Sequence, residues 1–141
     1  MNRTKTERAC MALICFYSLS IGLIGAFAPH TFYADFPFLT HWVNLLPPYN
    51  EHLVTDVGGL YLGFAVIAGW ATWRPERTLV LATATGFLLT GVIHLVFHAS
   101  HLSRFGTADA IGEIAGLALL LAPPSVAIWT ARSDGAARTR T

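Results

Sequence analysis

The sequence predicts an all-α fold: a polytopic membrane protein built as an antiparallel bundle of four transmembrane helices, with a short interfacial helix in the first outer loop. Three observations predict it. Hydrophobic residues make up 54% of the 141-residue chain and charged residues only 12%, about half the charged share of a soluble domain. Four apolar stretches run at about 9–28, 53–73, 78–98 and 109–131. Each has about 20 residues, enough to cross about 30 Å of hydrocarbon as a helix, and open strands would leave backbone groups unpaired in lipid. Third, the basic residues gather at one side of these stretches. Residues 1–132 therefore read as a single membrane domain, in a lipid bilayer.

The first stretch has two readings. Arg3, Lys5 and Arg8 followed by Ala26-Phe27-Ala28 resemble a signal peptide with its cleavage site. The apolar run is longer than such segments usually are, and Pro29 would follow the cut, so a retained helix is favoured. Cys10 and Cys15 form no CxxC pair and fall on different helix faces, which predicts inert thiols within the span.

The connection from Pro29 to His52 is the longest. It carries Phe32, Tyr33, Phe36, Phe38, Trp42 and Tyr49 and no basic residue. The stretch "DFPFLTHWVNLLPPYN" predicts a short helix starting at Asp35 or Phe36, with Pro37 near its first position and Pro47-Pro48 as its stop. Its aromatic residues suit an interfacial belt or a lid over an outer site.

The second span opens at "YNEHLVTDVGG", where His52 and Asp56 share a helix face and Glu51 sits beside it. The tight turn "RPER" predicts that spans two and three are antiparallel neighbours. Gly59/Gly63 and Gly112/Gly116 recur at gaps of four and permit close helix approach, within one bundle or between copies in a homo-oligomer. The third span ends in "HLVFHASH", with His94, His98 and His101 on one face. The fourth opens at "TADAIGEIAG", where Asp109 and Glu113 lie four apart. Pro123-Pro124 predicts a kink in it, and residues 133–141 read as a disordered polar tail.

Eight of the nine basic residues precede span one, lie between spans two and three, or follow span four; Arg104 is the exception. That side is expected in the cytoplasm, with both termini, and the membrane is expected to be the cell membrane. All six histidines and five of the eight acids fall at the opposite, outer end. The inner half reads as free of ionisable side chains, which argues against a transporter. The net charge of +1 and the lack of a phosphate-binding loop give no ground for nucleic acid as a partner.

Ionisable groups a turn inside a span normally face inward and pair, and facing side chains in a four-helix bundle build core sites. His52, His94, His98 and His101 are therefore candidate ligands for a transition metal such as Zn, Fe or Cu, with Glu51, Asp56 and Glu113 as further ligands or as acid and base groups. His94 and His98 are expected to point into the bundle beside His52, Asp56 and Glu113, with His101 outermost and most accessible. This predicts a metal-dependent enzyme acting on an apolar or lipid-like small molecule. The competing reading is an accessory or lipid-binding subunit of a membrane partner, in which the cluster is metal-free and hydrogen-bonded.

The stretch "LPPYNEHLVTDVGGLYLGFAVIAG" together with "HLVFHASHL" resembles small four-span membrane proteins common in high-GC Gram-positive bacteria. The "DVGGLYLGFAV" part is similar to the DoxX-like group, in which a glycine-rich second helix follows a polar residue. The resemblance covers roughly residues 10–130. It implies the four-helix architecture and carries no catalytic residue over to this chain.

Overall fold

The computed structural model describes the backbone of residues 3–37 and 40–138 and the side chains of 4–37 and 40–133. Helices account for all the regular structure among the described residues: α1 (Arg3–Phe27), α2 (Pro29–Asp35), α3 (Glu51–Trp73), α4 (Arg77–Ser100), α5 (Thr107–Leu120) and α6 (Ala122–Arg138). Four stretches, Thr4–Phe27, Glu51–Trp73, Arg77–Ser100 and Thr107–Ser133, are long and apolar enough to cross a membrane. The protein is thus a four-span, all-α integral membrane protein. Its apolar side chains largely face outward: Phe16, Leu60, Val66, Leu89, Leu119 and Trp129 are all exposed. Lipid, not a protein core, satisfies them.

α1 packs most extensively on α3 and also touches α6; α4 packs on α6, α3 and α5. Spans two and three do meet, yet the closest pair is α1 with α3. The reason is glycine. A Cβ on Gly58 would collide with the backbone of Gly25 and Ala26, and one on Gly25 would stand 3.1 Å from the Gly58 Cα. The helices approach backbone to backbone because neither residue carries a side chain. The expected small-residue pairs lie elsewhere: Gly59, Gly63 and Gly116 have nothing near a would-be Cβ, and Gly112 lies under the Trp42 ring. One residue of register, about 100° around a helix, separates Gly58 from Gly59.

The buried core sits at the basic end. It comprises Cys10, Met11 and Ile14 of α1, Ala68 and Ala71 of α3, Val80, Ala84 and Phe87 of α4, and Ala127 and Ala131 of α6. Arg77 Nε donates to the Ala131 carbonyl at 2.9 Å, and Arg8 donates to that of Trp73 at 3.4 Å. Arg8 thereby meets the carbonyl of the last residue of α3, where a cation is favoured, and Arg77 meets one in the middle of α6. Glu7 is buried here too, 1% exposed, so the inner half is not free of ionisable side chains. Cys10 and Cys15 are free thiols.

Two elements depart from expectation. The first outer loop holds its helix at Pro29–Asp35, ending where one was expected to begin. Pro29 occupies its first turn, where the missing N–H costs nothing. Phe36 is extended, as a residue before proline tends to be, which stops the helix. Only a 3-10 turn, Trp42–Leu45, follows; Phe38 and Leu39 lie outside the described residues. The fourth span is broken at Leu121, and Pro123 and Pro124 fall in the first turn of α6. α6 then continues helically to Arg138, beyond the expected start of a disordered tail at 133. Arg140 lies outside the described residues.

Candidate functional site

The histidine end is built from the last turns of α4 and the first turns of α5. Asn50 starts the neighbouring α3, its side chain accepting from Leu53 N at 3.0 Å. On α4, Phe87, Gly91, His94 and His98 recur at helical spacing along one face; on α5, Glu113, Leu117 and Leu120 do the same. The two faces meet at His98 and Glu113. Their side chains are buried, 11% and 4% exposed, with Nδ1 and Oε1 2.6 Å apart. The approach is close but lacks the alignment of a hydrogen bond, and both His98 Nδ1 and Glu113 Oε2 are buried with no hydrogen-bond partner.

Aromatic rings close over the pair. Phe105 is buried with its ring 6.4 Å from that of His98, and Phe97 lies at 5.7 Å. His94 stands edge-on to His98, ring centres 4.4 Å apart. From the loop, Trp42 Nε1 donates to Asp109 Oδ1 at 3.1 Å. The loop reaches this position because Asn44 Nδ2 and the His41 ring both contact the Ala34 carbonyl, folding the turn back onto α2. Trp42 thus lies against α5 beside Asp109 and Gly112, one turn before Glu113.

Below the pair runs a cleft lined by Tyr17, Tyr61, Phe64, Phe87, His94 and Leu117, among others. It is narrow: its cavity volume is about 20 Å³, room for about one water-sized group. His94 belongs to both: its ring lines the cleft and touches the histidine of the buried pair.

The other expected site residues lie apart. His52 and Asp56 pair with each other at 3.3 Å on an exposed face of α3, with side chains 86% and 58% exposed. Glu51 is exposed in the first turn of α3. There, together with burial of the Tyr49 hydroxyl, it pushes the tyrosine above its ordinary range. His101 is half-buried, its ring stacked on Phe97 at 4.3 Å and its Nδ1 2.8 Å from the Phe97 carbonyl. It was expected to be the most accessible of the triplet, but His94 is more exposed. Among the described residues, no three His, Cys, Asp or Glu side chains come together as a group able to hold a metal. The single site expected to unite His52, Asp56, His94, His98 and Glu113 is therefore divided in two, because α3 presents His52 and Asp56 outward.

Trp42 and Phe105 were not singled out as site residues. The indole of Trp42 was visible in the sequence as part of an aromatic loop, but its partner was not. No family model, curated protein or solved structure matches the chain.

Proposed function

We propose that the protein binds a lipid-like small molecule in the cleft between α1, α3, α4 and α5, holding its polar end at His98, Glu113 and His94. The observation that carries this reading is the orphaned Glu113 Oε2, buried one turn from Leu117, which lines the aromatic cleft. A buried acceptor left unpaired costs about 1–3 kcal/mol, and a hydroxyl or protonated group of a ligand would satisfy it. The cleft has the apolar walls of a small-molecule site, and a ligand larger than a water must part those walls to enter. The imidazole and carboxyl lie close enough for a bound hydroxyl to contact both, and the Trp42 turn docks on α5 one turn away. The basic end faces the cytoplasm and the site faces outward, in the cell membrane, on the asymmetry of the arginines and lysines.

This is the metal-free form of the site. A transition-metal enzyme would need a third donor on His98 and Glu113, and His94 would have to turn toward them to supply it. The DoxX-like resemblance implies no reaction.

The test uses purified protein in nanodiscs and a long-chain alcohol bearing a diazirine. Photolabelling is expected on α4 and α5 peptides within 87–121, to be competed by unlabelled alcohol, and to be lost in Glu113→Leu. Labelling spread over outward residues such as Leu60 and Val66, without competition, would refute the binding site. Elemental analysis of the same sample separates the two chemistries: stoichiometric Zn, Fe or Cu lost in His98→Leu would replace the metal-free reading with the metal-dependent one.

A further inference from the structure

The basic end of the bundle carries a second organised surface, where α1 packs on α3. Two guanidiniums are fixed there on one residue. Arg8 reaches across from α1 and donates through Nη2 to the Trp73 carbonyl at 3.4 Å. Arg74 lies over the Trp73 ring, 4.8 Å from its centre. Trp70 stands edge-on to Trp73 with ring centres 5.5 Å apart, and both indoles are exposed. Lys5 is exposed one turn before Arg8 on α1. Among the described residues, no carboxylate pairs with Arg8 or Arg74. The described acids at this end are Glu7, which is buried, and Glu76, which is exposed as the residue before α4, a place where the helix dipole favours a carboxylate. Arg77 is already taken up by the Ala131 carbonyl.

We propose that this surface binds the phosphate of an anionic phospholipid, in the leaflet that meets the basic end. A guanidinium offers several donors in a planar fork suited to phosphate oxygens. Arg8 uses one of its own on the Trp73 carbonyl, and the Trp73 ring holds Arg74 from one side. Anchoring on a single residue keeps the two cations beside one headgroup. Exposed tryptophans at the end of a span lie at headgroup depth, which is the depth of a lipid phosphate. Val66 and Ile67, about a turn nearer the bilayer centre than Trp70, are apolar and exposed and continue the surface along which acyl chains run. A free phosphate would leave that apolar surface uncovered, whereas a lipid covers both parts. Basic pockets between transmembrane helices are suited to anionic headgroups. The inference is independent of the cleft, which is lined by other residues toward the histidine end.

The experiment uses full-length protein carrying Trp42→Phe and Trp129→Phe, so that Trp70 and Trp73 are its only tryptophans. It is placed in phosphatidylcholine bilayers doped with a brominated lipid of matched chains, either phosphatidylglycerol or phosphatidylcholine. Brominated phosphatidylglycerol is expected to quench the tryptophans at the lower mole fraction. That preference should fall about fivefold, or about 1 kcal/mol, in Arg8→Gln and by a similar factor in Arg74→Gln. Arg132→Gln, at the same end but on α6, should leave it unchanged. Arg74 makes no contact with α1 that its replacement would break, so Arg74→Gln reports on the site even if Arg8→Gln loosens the helices; circular dichroism shows that each variant folds. Equal quenching by the two lipids would overturn the proposal. So would an effect of Arg132→Gln as large as that of Arg74→Gln, which is the behaviour of diffuse charge. Loss of the preference when inorganic phosphate replaces chloride at constant ionic strength would overturn it as well, in favour of a free-anion site.

Discussion

Removing one member of the His98–Glu113 pair should cost far more than removing both. The two side chains are 11% and 4% exposed, which makes them a buried polar pair and not a surface one, where about 0–1 kcal/mol is at stake. Breaking a buried pair from one side leaves an uncompensated polar group and typically costs about 3–5 kcal/mol, whereas replacing both partners by apolar residues of similar volume is often neutral or stabilising. His98→Leu and Glu113→Leu are each therefore expected to destabilise by about 3 kcal/mol, taking the lower bound because an isolated carboxyl or imidazole can shed its charge. That is a loss of about a hundredfold in the ratio of folded to unfolded protein. The double variant should return to within about 1 kcal/mol of the parent. Equilibrium unfolding in mixed micelles, run as a double-mutant cycle, measures the coupling. Additive single costs would refute the pairing argument. A double variant that folds normally but no longer takes up the photoactivatable alcohol would show that the pair serves binding and not stability.

Three further outcomes follow from the same geometry. Gly58→Ala should destabilise by about 1–3 kcal/mol through overpacking against α1, while Gly116→Ala should be neutral or stabilise by up to about 1 kcal/mol; thermal unfolding in detergent distinguishes them. Trp42→Phe keeps the ring but removes the donor to Asp109, so amide exchange in residues 40–50 should accelerate, by an amount corresponding to about 1.5–3 kcal/mol for a bond to a charged acceptor. Unchanged exchange would mean that the turn is not held by that bond. A reporter active only in the cytoplasm, fused after Thr141, should be active, and an exported reporter at the same place should be silent.

The spans were legible because lipid imposes a length and a composition that leave a mark on every residue of a stretch. Side-chain direction was legible only in part. His98 and Glu113 face inward as their depth demanded, and Phe97 stays outward. His52 and Asp56 were expected to join them, but the rotation of α3 is set by Gly58 against Gly25, a contact between residues 33 positions apart that no local pattern reveals. The Pro123-Pro124 interruption was visible, yet its effect appears at Leu121, because prolines suit the first turn of the helix that follows them. In the loop a helix was expected around Pro37, and the one that forms starts instead at Pro29. Glu7 was hidden by its neighbours: among Arg3, Lys5 and Arg8 it reads as part of a solvated flank.

The break at Leu121 also sets how the protein answers to bilayer thickness. The fourth span holds 27 residues, about 40 Å as a straight helix, against a hydrocarbon layer of about 30 Å. A segment longer than its bilayer tilts or kinks to fit. Here the joint is already made, because Pro124 has no N–H to offer the Leu120 carbonyl. α6 is seated in the core through Ala127 and Ala131, so the excess length is taken up by the angle of α5. That angle carries Glu113 and Leu117 toward or away from α4. Thinner membranes thus tilt α5 further and thicker ones straighten it, which makes lipid chain length a control on the width of the cleft.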